Sequence, residues 1–247
     1  MKLSLLTYNI HRAIGVDRRF RLQRIADVLE HHAADIVLLQ EVDEGAPRSR
    51  ELDLARELAA AVGYPYVAVG HNVSMRRGRY GNATLSRFPI VRERNIDLTI
   101  AWRKRRGCQH THVRVGPEGE GRELDIFNLH LGLSAAERHE QIRVLTRSHE
   151  FAASAPGQPC VVGGDFNDWR SLLYGAFVDA LGFRCATQLD SGRRRCLRTY
   201  PAFSPSGGLD RVYFRGPLRL LDARTSRLAV ARLASDHLPV YVEFELR

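Results

Sequence analysis

The chain has 247 residues, 44% hydrophobic and 26% charged, a balance that supports a packed core and excludes a disordered or fibrous protein. No apolar run approaches the length that crosses a bilayer as a helix. The net charge of +9 favours a polyanionic partner, yet of the 37 basic residues only Lys2 and Lys104 are lysines, so the excess is an arginine bias spread along the chain.

No Pro/Gly/Ser-rich linker divides the sequence, and residues 1–247 are expected to form a single domain. The apolar stretch after Lys2 is too short for a signal peptide, and cleavage beyond it would remove Asn9, so a cytoplasmic protein is expected. Cys108, Cys160, Cys185 and Cys196 lack metal-binding spacing, which argues for reduced thiols over a zinc site or a disulfide framework.

In chain order, residues 3–10 read as a strand, and Leu22, Ile25, Ala26 and Leu29 follow with helical spacing. Residues 36–40 form the next strand, and Leu54, Leu58 and Ala61 a second helix. Strands at residues 66–69 and 83–86 lead to a hairpin-like pair, 108–115 and 124–131, across PEGEG. Ser134 with Glu137 has capping-box spacing and opens a third helix through Ile142 and Leu145. A strand at 160–162, a helix at 172–181, and strands at 211–214 and 240–246 complete the series. Helices alternate with strands, but several strands follow one another directly, so two mixed sheets packed face to face with helices outside fit better than one parallel sheet.

The apolar run Cys160, Val161, Val162 ends in GDFND, placing Asp165, Asn167 and Asp168 at a strand tip. Alone this reads as a turn. Other strands end the same way: at Asn9 in LLTYNI, Glu41 in IVLLQE, His130 in IFNLHL, Asp210 in GGLDRVYF, and Asp236 with His237 in ASDHLPV. An ordinary structural account of all six requires six coincidences. Their chemistry is also coherent. Glu41, Asp165 and Asp236 are hard oxygen ligands and Asn9 and Asn167 neutral oxygen donors, a set suited to Mg²⁺ rather than zinc. His130 and His237 suit a phosphoryl oxygen or leaving group, and Asp210 can orient an imidazole.

The ordered series TYN, QE, NLHL, GDFN, LDRVY and SDHLPV, from residue 7 to 241, resembles the endonuclease/exonuclease/phosphatase superfamily of DNase I-like, metal-dependent phosphoesterases. The resemblance implies a four-layered α/β sandwich. It implies that Glu41 is the main Mg²⁺ ligand (Mn²⁺ being an alternative), with Asn9 and Asp236 near the same ion. Asp165 and Asn167 would hold or activate the attacking water, His237 would be the catalytic imidazole oriented by Asp210, and His130 would stabilise the phosphate. Either Asp165 or the His237/Asp210 pair could take the water's proton.

The substrate is less legible. Histidine in NLHL argues against the abasic-site endonucleases of the superfamily, which carry a tyrosine motif there, and is similar to DNase I, neutral sphingomyelinases and inositol-polyphosphate phosphatases. Arg12 in HRAIG and Asn82 in YGNATLSRFPI are candidate phosphate contacts, with a surface arginine and a turn asparagine as the ordinary alternatives. The clusters Arg76/Arg77/Arg79, Arg103/Lys104/Arg105/Arg106 and Arg193/Arg194/Arg195 read as solvated loops or as phosphate contacts. Nucleic acid is the favoured substrate, phospholipid head groups or inositol phosphates the alternative, and a non-catalytic binding protein the third class.

Overall fold

The computed structural model describes residues 1–117, 121–189 and 196–247. Among these, the chain forms two six-stranded sheets. The first has the order β11(Leu218–Thr225), β12(Val240–Leu246), β1(Lys2–Asn9), β2(Ile36–Glu44), β4(Arg79–Ser86), β3(Tyr66–Ser74). The second has the order β5(Ile90–Asp97), β6(Gly107–Val115), β7(Arg122–His130), β8(Cys160–Asp165), β10(Asp210–Arg215), β9(Arg184–Cys185). Each sheet contains one parallel pair, β1–β2 and β7–β8, among antiparallel neighbours.

A parallel pair needs a crossover, and helices supply both. Helix α1(Leu22–His32) joins β1 to β2, while α3(Ala135–Arg147) and α4(His149–Ala153) join β7 to β8. Helix α1 buries Ile25, Ala26, Val28 and Leu29 on the first sheet beside α2(Leu54–Val62) and α5(Ala231–Ala234). On the second sheet, Ile142 and Leu145 of α3 and Phe151 of α4 pack with Phe127, Leu129 and Val162. Between the sheets lies a third apolar layer built from Leu3, Leu5, Ile36, Leu38, Leu124, Ile126, Val161, Val212 and Phe244. Helices, sheet, sheet, helices are the four layers expected of the fold.

The capping signals act as their chemistry predicts. Ser134 accepts from Glu137 N at 3.2 Å and Asp53 from Arg56 N at 3.2 Å, each covering an otherwise unpaired first-turn amide. The segment at 172–181 differs from the expected α-helix: its regular part is a π-helical turn, Ala176–Ala180. Strands β5 and β11 escaped the sequence pattern. Both lie at or near a sheet edge, where IVRERNID and LRLLDART carry charges that edge strands tolerate and buried strands do not.

Candidate active site

Alternate residues of a strand face the same way, so each strand presents one stripe to the opposite sheet. On β1 that stripe is Leu3, Leu5, Thr7, Asn9; on β2 it is Ile36, Leu38, Gln40; on β7 it is Leu124, Ile126, Asn128, His130. On β8 it is Val161, Gly163, Asp165, and on antiparallel β10 it runs Phe214, Val212, Asp210. Every stripe changes from apolar to polar in the same direction. The registers Asn9 with Gln40, His130 with Asp165, and Asp210 with Asp165 place the polar ends side by side. They therefore lie at the carboxyl ends of both parallel pairs, the usual ligand edge of such sheets.

Below this mouth a buried polar layer ties the sheets together. Gln40 Nε2 donates to Asn128 Oδ1 at 2.8 Å and to Thr7 Oγ1 at 3.2 Å. Asn128 Nδ2 donates to the carbonyls of Leu39 and Ala83 at 3.1 and 2.9 Å, across the gap between sheets. Asn82, buried on β4, spends its NH₂ on the carbonyls of Gly107 and Asn128 in return. The β2–β4 ladder slips between Leu39 and Val42, so Gln40 and Glu41 together oppose Asn82. This bulge turns Glu41 into the left-handed region at φ +58°, a strained position for a non-glycine residue and a common device for re-aiming a side chain at a site.

At the mouth itself, four nitrogen atoms converge on Asp165. Asn9 Nδ2 lies 3.0 Å from Asp165 Oδ2, Asn167 N 2.9 Å from Oδ1, and the Nε2 atoms of His130 and His237 lie 3.4 and 3.7 Å from Oδ2. His237 Nδ1 is held by Asp210 Oδ2 at 2.8 Å, with both residues buried. Burial drives the Asp165 carboxyl upward against the opposing pull of His237. Burial acts to lower the His237 imidazole, but Asp210 and Asp165 overcome it and push the ring up to about 10. His130 moves the opposite way, held well below its ordinary value by burial and then by Arg106, His237 and Lys104. Two imidazoles with opposed tendencies thus flank one carboxylate.

The GGDFN segment explains its own glycines. Gly164 sits at φ +135°, and a Cβ there would collide with the carbonyl oxygen of Leu129, so the strand that delivers Asp165 requires glycine. Asn167 adopts φ +50°, which asparagine tolerates, and donates from Nδ2 to Leu131 O at 3.0 Å. Asp168 turns away from the mouth: its carboxylate caps the amides of Leu172 and Leu173 at 3.0 and 2.8 Å.

Immediately after Asn9, residues His11, Arg12 and Ala13 all have positive φ, from 43° to 59°, forming a left-handed turn of non-glycine residues. Such residues cost about 1–2 kcal/mol each, a strain that accumulates at functional sites. The turn brings Arg12 Nε to 3.5 Å from Glu41 Oε2 and His11 Nδ1 to 4.0 Å from Asp236 Oδ1. Ser235 accepts from His237 N at 3.2 Å and donates to Asn9 O at 2.7 Å, locking the SDH segment to the end of β1. Lys104 lies over the Tyr80 ring, 5.5 Å from its centroid. Tyr80 Oη and the Nε atoms of Arg12 and Arg106 are buried without a hydrogen-bond partner.

Glu41 and Asp236 are part-exposed carboxylates, Glu41 with the Arg12 guanidinium at 3.5 Å and Asp236 with the His11 ring at 4.0 Å. Two carboxylates open to solvent near the amide of Asn9 form an oxygen-rich set that fits a hard divalent cation. Among the described residues, Asp165, Asp210 and His237 form a further group close enough to share an ion.

The mouth therefore brings together Asn9, His130, Asp165, Asn167, Asp210 and His237, with Glu41 and Arg12 paired beside them. Asn82 stands one layer deeper, as a brace between sheets. Arg77 and Arg79 pair with Glu51 and Glu44 on the surface, while Arg193, Arg194 and Arg195 lie outside the described residues. The sequence pattern missed Gln40 and Asn128, whose signal was polar residues at inward-facing strand positions, and Ser235, whose role depends on a contact 226 residues away.

Comparison with known proteins identifies relatives of this chain and of its fold. The chain is 32% identical over 257 aligned residues to an uncharacterised protein of Escherichia coli K12, YbhP, covering 98% of this chain and 96% of that one. A solved endonuclease/exonuclease/phosphatase from Bacteroides vulgatus superposes with a TM-score of 0.79 at 18% identity, covering 100% of both chains. A mannosyl-6-phosphatase from Bacteroides thetaiotaomicron, Bt3783, superposes with a TM-score of 0.74 at 21% identity, covering 98% of this chain and 99% of that one. The sequence profile of the Endonuclease/Exonuclease/phosphatase family matches residues 6–237, from within β1 to His237, and the chain belongs to that family.

Proposed function

We propose that this phosphoesterase hydrolyses phosphodiester bonds of nucleic acid, using Mg²⁺ or Mn²⁺ held by Glu41 with Asn9 and Asp236 beside it. The observation that carries the reading is the convergence of His130, His237 and Asn9 on Asp165, with Asp210 fixing His237 from behind. A phosphoryl oxygen entering between the two imidazoles would meet both Nε2 atoms. Asp210 holds His237 in one tautomer and stabilises its protonated form as charge develops on the phosphate. Asp165, between the rings, takes the proton of the attacking water, and Asn167 is placed to contact the same water or phosphate. A bound divalent ion supplies Lewis-acid stabilisation of the growing phosphoryl charge.

Nucleic acid is favoured by the cations at this mouth: Arg12 beside Glu41, Lys104 over Tyr80, and Arg106, which acts on His130. A second reading, a phosphoesterase for phospholipid head groups or inositol phosphates, draws support from Leu133, Trp169 and Phe203, which are exposed on the loops after β7, after β8 and before β10. We place the enzyme in the cytoplasm, where its four free thiols would stay reduced. Assays on plasmid DNA, RNA, anionic phospholipid vesicles and phosphorylated inositols, with Mg²⁺ and with chelator, test the proposal. Metal-dependent cleavage of DNA or RNA is expected. Turnover confined to vesicles or inositol phosphates transfers the site to the second reading, and chelator-resistant turnover refutes the metal role.

A further inference from the structure

The second sheet carries another convergence of titratable groups, on its outer face. Strand β6 reads HTH, and the period of two puts His110 and His112 on one side. Asp125 of β7 pairs directly with His112. His110 Nε2 lies 2.7 Å and His112 Nδ1 2.9 Å from the same atom, Asp125 Oδ1, and the three ligand atoms all lie within 4.8 Å of one another. Five residues of strand, about 17 Å, separate Asp125 from His130, and the two point to opposite faces. The cluster is thus independent of the catalytic mouth.

The two rings share the single oxygen Asp125 Oδ1, which requires an N–H from each, and the same two nitrogens and one oxygen are the donor types of a metal site, with His110 only 5% exposed. The cluster opens on a cavity of about 420 Å³ lined also by Arg92, Arg94, His149, Glu150 and Ser154. That space admits water or a further ligand from the start of α4. Glu123 stands 2.8 Å from His112 Nε2, a carboxylate behind a ligand imidazole of the kind that orients metal-binding histidines. Arg92 and Arg94 line the cavity together with the carboxylates of Asp125 and Glu150.

We propose that His110, His112 and Asp125 form a second, non-catalytic metal site for a borderline transition-metal ion, Zn²⁺ in the first instance. Two imidazole nitrogens and one carboxylate oxygen select such an ion over Mg²⁺, which takes oxygen donors. The ion would join β6 to β7 under α4 and take its remaining positions from water or α4 in the cavity.

The test is Zn²⁺ binding by equilibrium dialysis, and Co²⁺ binding by its visible absorption, on the full chain in excess Mg²⁺ so that the catalytic mouth is occupied. One equivalent is expected in the wild type and in Glu41→Gln. His112→Gln and Asp125→Asn should each weaken binding by about 100-fold or more, beyond the effect typical of losing an outer partner. His112 is part-exposed on a sheet face, so its variant should keep the wild-type circular dichroism and its Mg²⁺-dependent phosphoesterase activity. Absence of Zn²⁺ and Co²⁺ binding in the wild type overturns the proposal. So does binding that survives His112→Gln but is lost in Glu41→Gln, which places the ion at the catalytic mouth.

Discussion

The space between the two sheets has two unlike halves. At one end, Leu3, Leu5, Ile36, Leu38, Ile126, Val161 and Phe244 fill it with apolar volume and no directional bonds. Toward the other end, Thr7, Gln40, Asn82, Asn128 and then Asn9, His130, Asp165 and Asp210 continue the same stripes with polar groups. Burial is nearly complete in both, so the polar half needs internal partners, and the side-chain amide NH₂ groups of Gln40, Asn82 and Asn128 find them across the gap, while Gln40 Oε1 is left without one. The apolar half stabilises through burial, whereas the polar half adds little net stability and holds the proposed catalytic groups at fixed positions. Substitutions in the two halves should therefore fail differently.

The largest expected effect is at the mouth. Glu41→Gln should nearly abolish turnover, since a neutral amide replaces the carboxylate proposed as the main metal ligand, while the melting temperature stays near that of the wild type. A collapsed melting temperature would make Glu41 part of the structural half. Asp210→Asn keeps the shape but removes the charge facing His237, and turnover should fall by about two to four powers of ten with a smaller change in KM. With Asp210 and His237 proposed to act as a unit, Asp210→Asn with His237→Ala should be little worse than His237→Ala alone. Additive losses in folded variants would dissolve the dyad.

In the apolar half, Leu5→Ala should cost about 2–5 kcal/mol of stability, measured by urea unfolding, with turnover at low temperature close to normal. Asn128→Ala tests the boundary. It removes the donor to the Leu39 and Ala83 carbonyls and the shortest of the three contacts of Gln40 Nε2, so a loss of about 1–3 kcal/mol is expected, together with reduced turnover as the Glu41 bulge loosens. Normal turnover in Asn128→Ala would show that the bulge holds itself.

The smallest effect lies outside the inter-sheet layer and serves as a control. His32, at the end of α1 and stacked on Tyr241, is held down to about 4 by burial, then by His31 and Arg224. Its folded value lies below its unfolded value, so its contribution is full above about pH 6.5 and is lost as pH falls through about 4. With screening at this half-exposed position the effect is about 1 kcal/mol. His32→Gln should flatten the stability profile between these values without touching turnover. A profile unchanged by the substitution would assign the acid sensitivity to the mouth.

The strands β1, β2, β7, β8 and β12 were legible in sequence because burial on both faces leaves a continuous apolar run and burial on one face leaves the alternation of β12, and the helix cap at Ser134 is a local signal of the same kind. The polar strand ends were legible as a set, since a carboxylate or imidazole closing an apolar run conflicts with burial wherever the strand is placed. Strands β5 and β11 were not, because their burial is partial and their charges blur the period. Only the tertiary structure decided that the stripes of different strands turn polar at the same end, that Asn82 braces the sheets, that Asp168 caps a turn, and that His110 and His112 meet Asp125. Those outcomes depend on strand register, on the bulge after Leu39 and on contacts between residues far apart in the chain, and register is a property of pairs of strands that no single stretch of sequence contains.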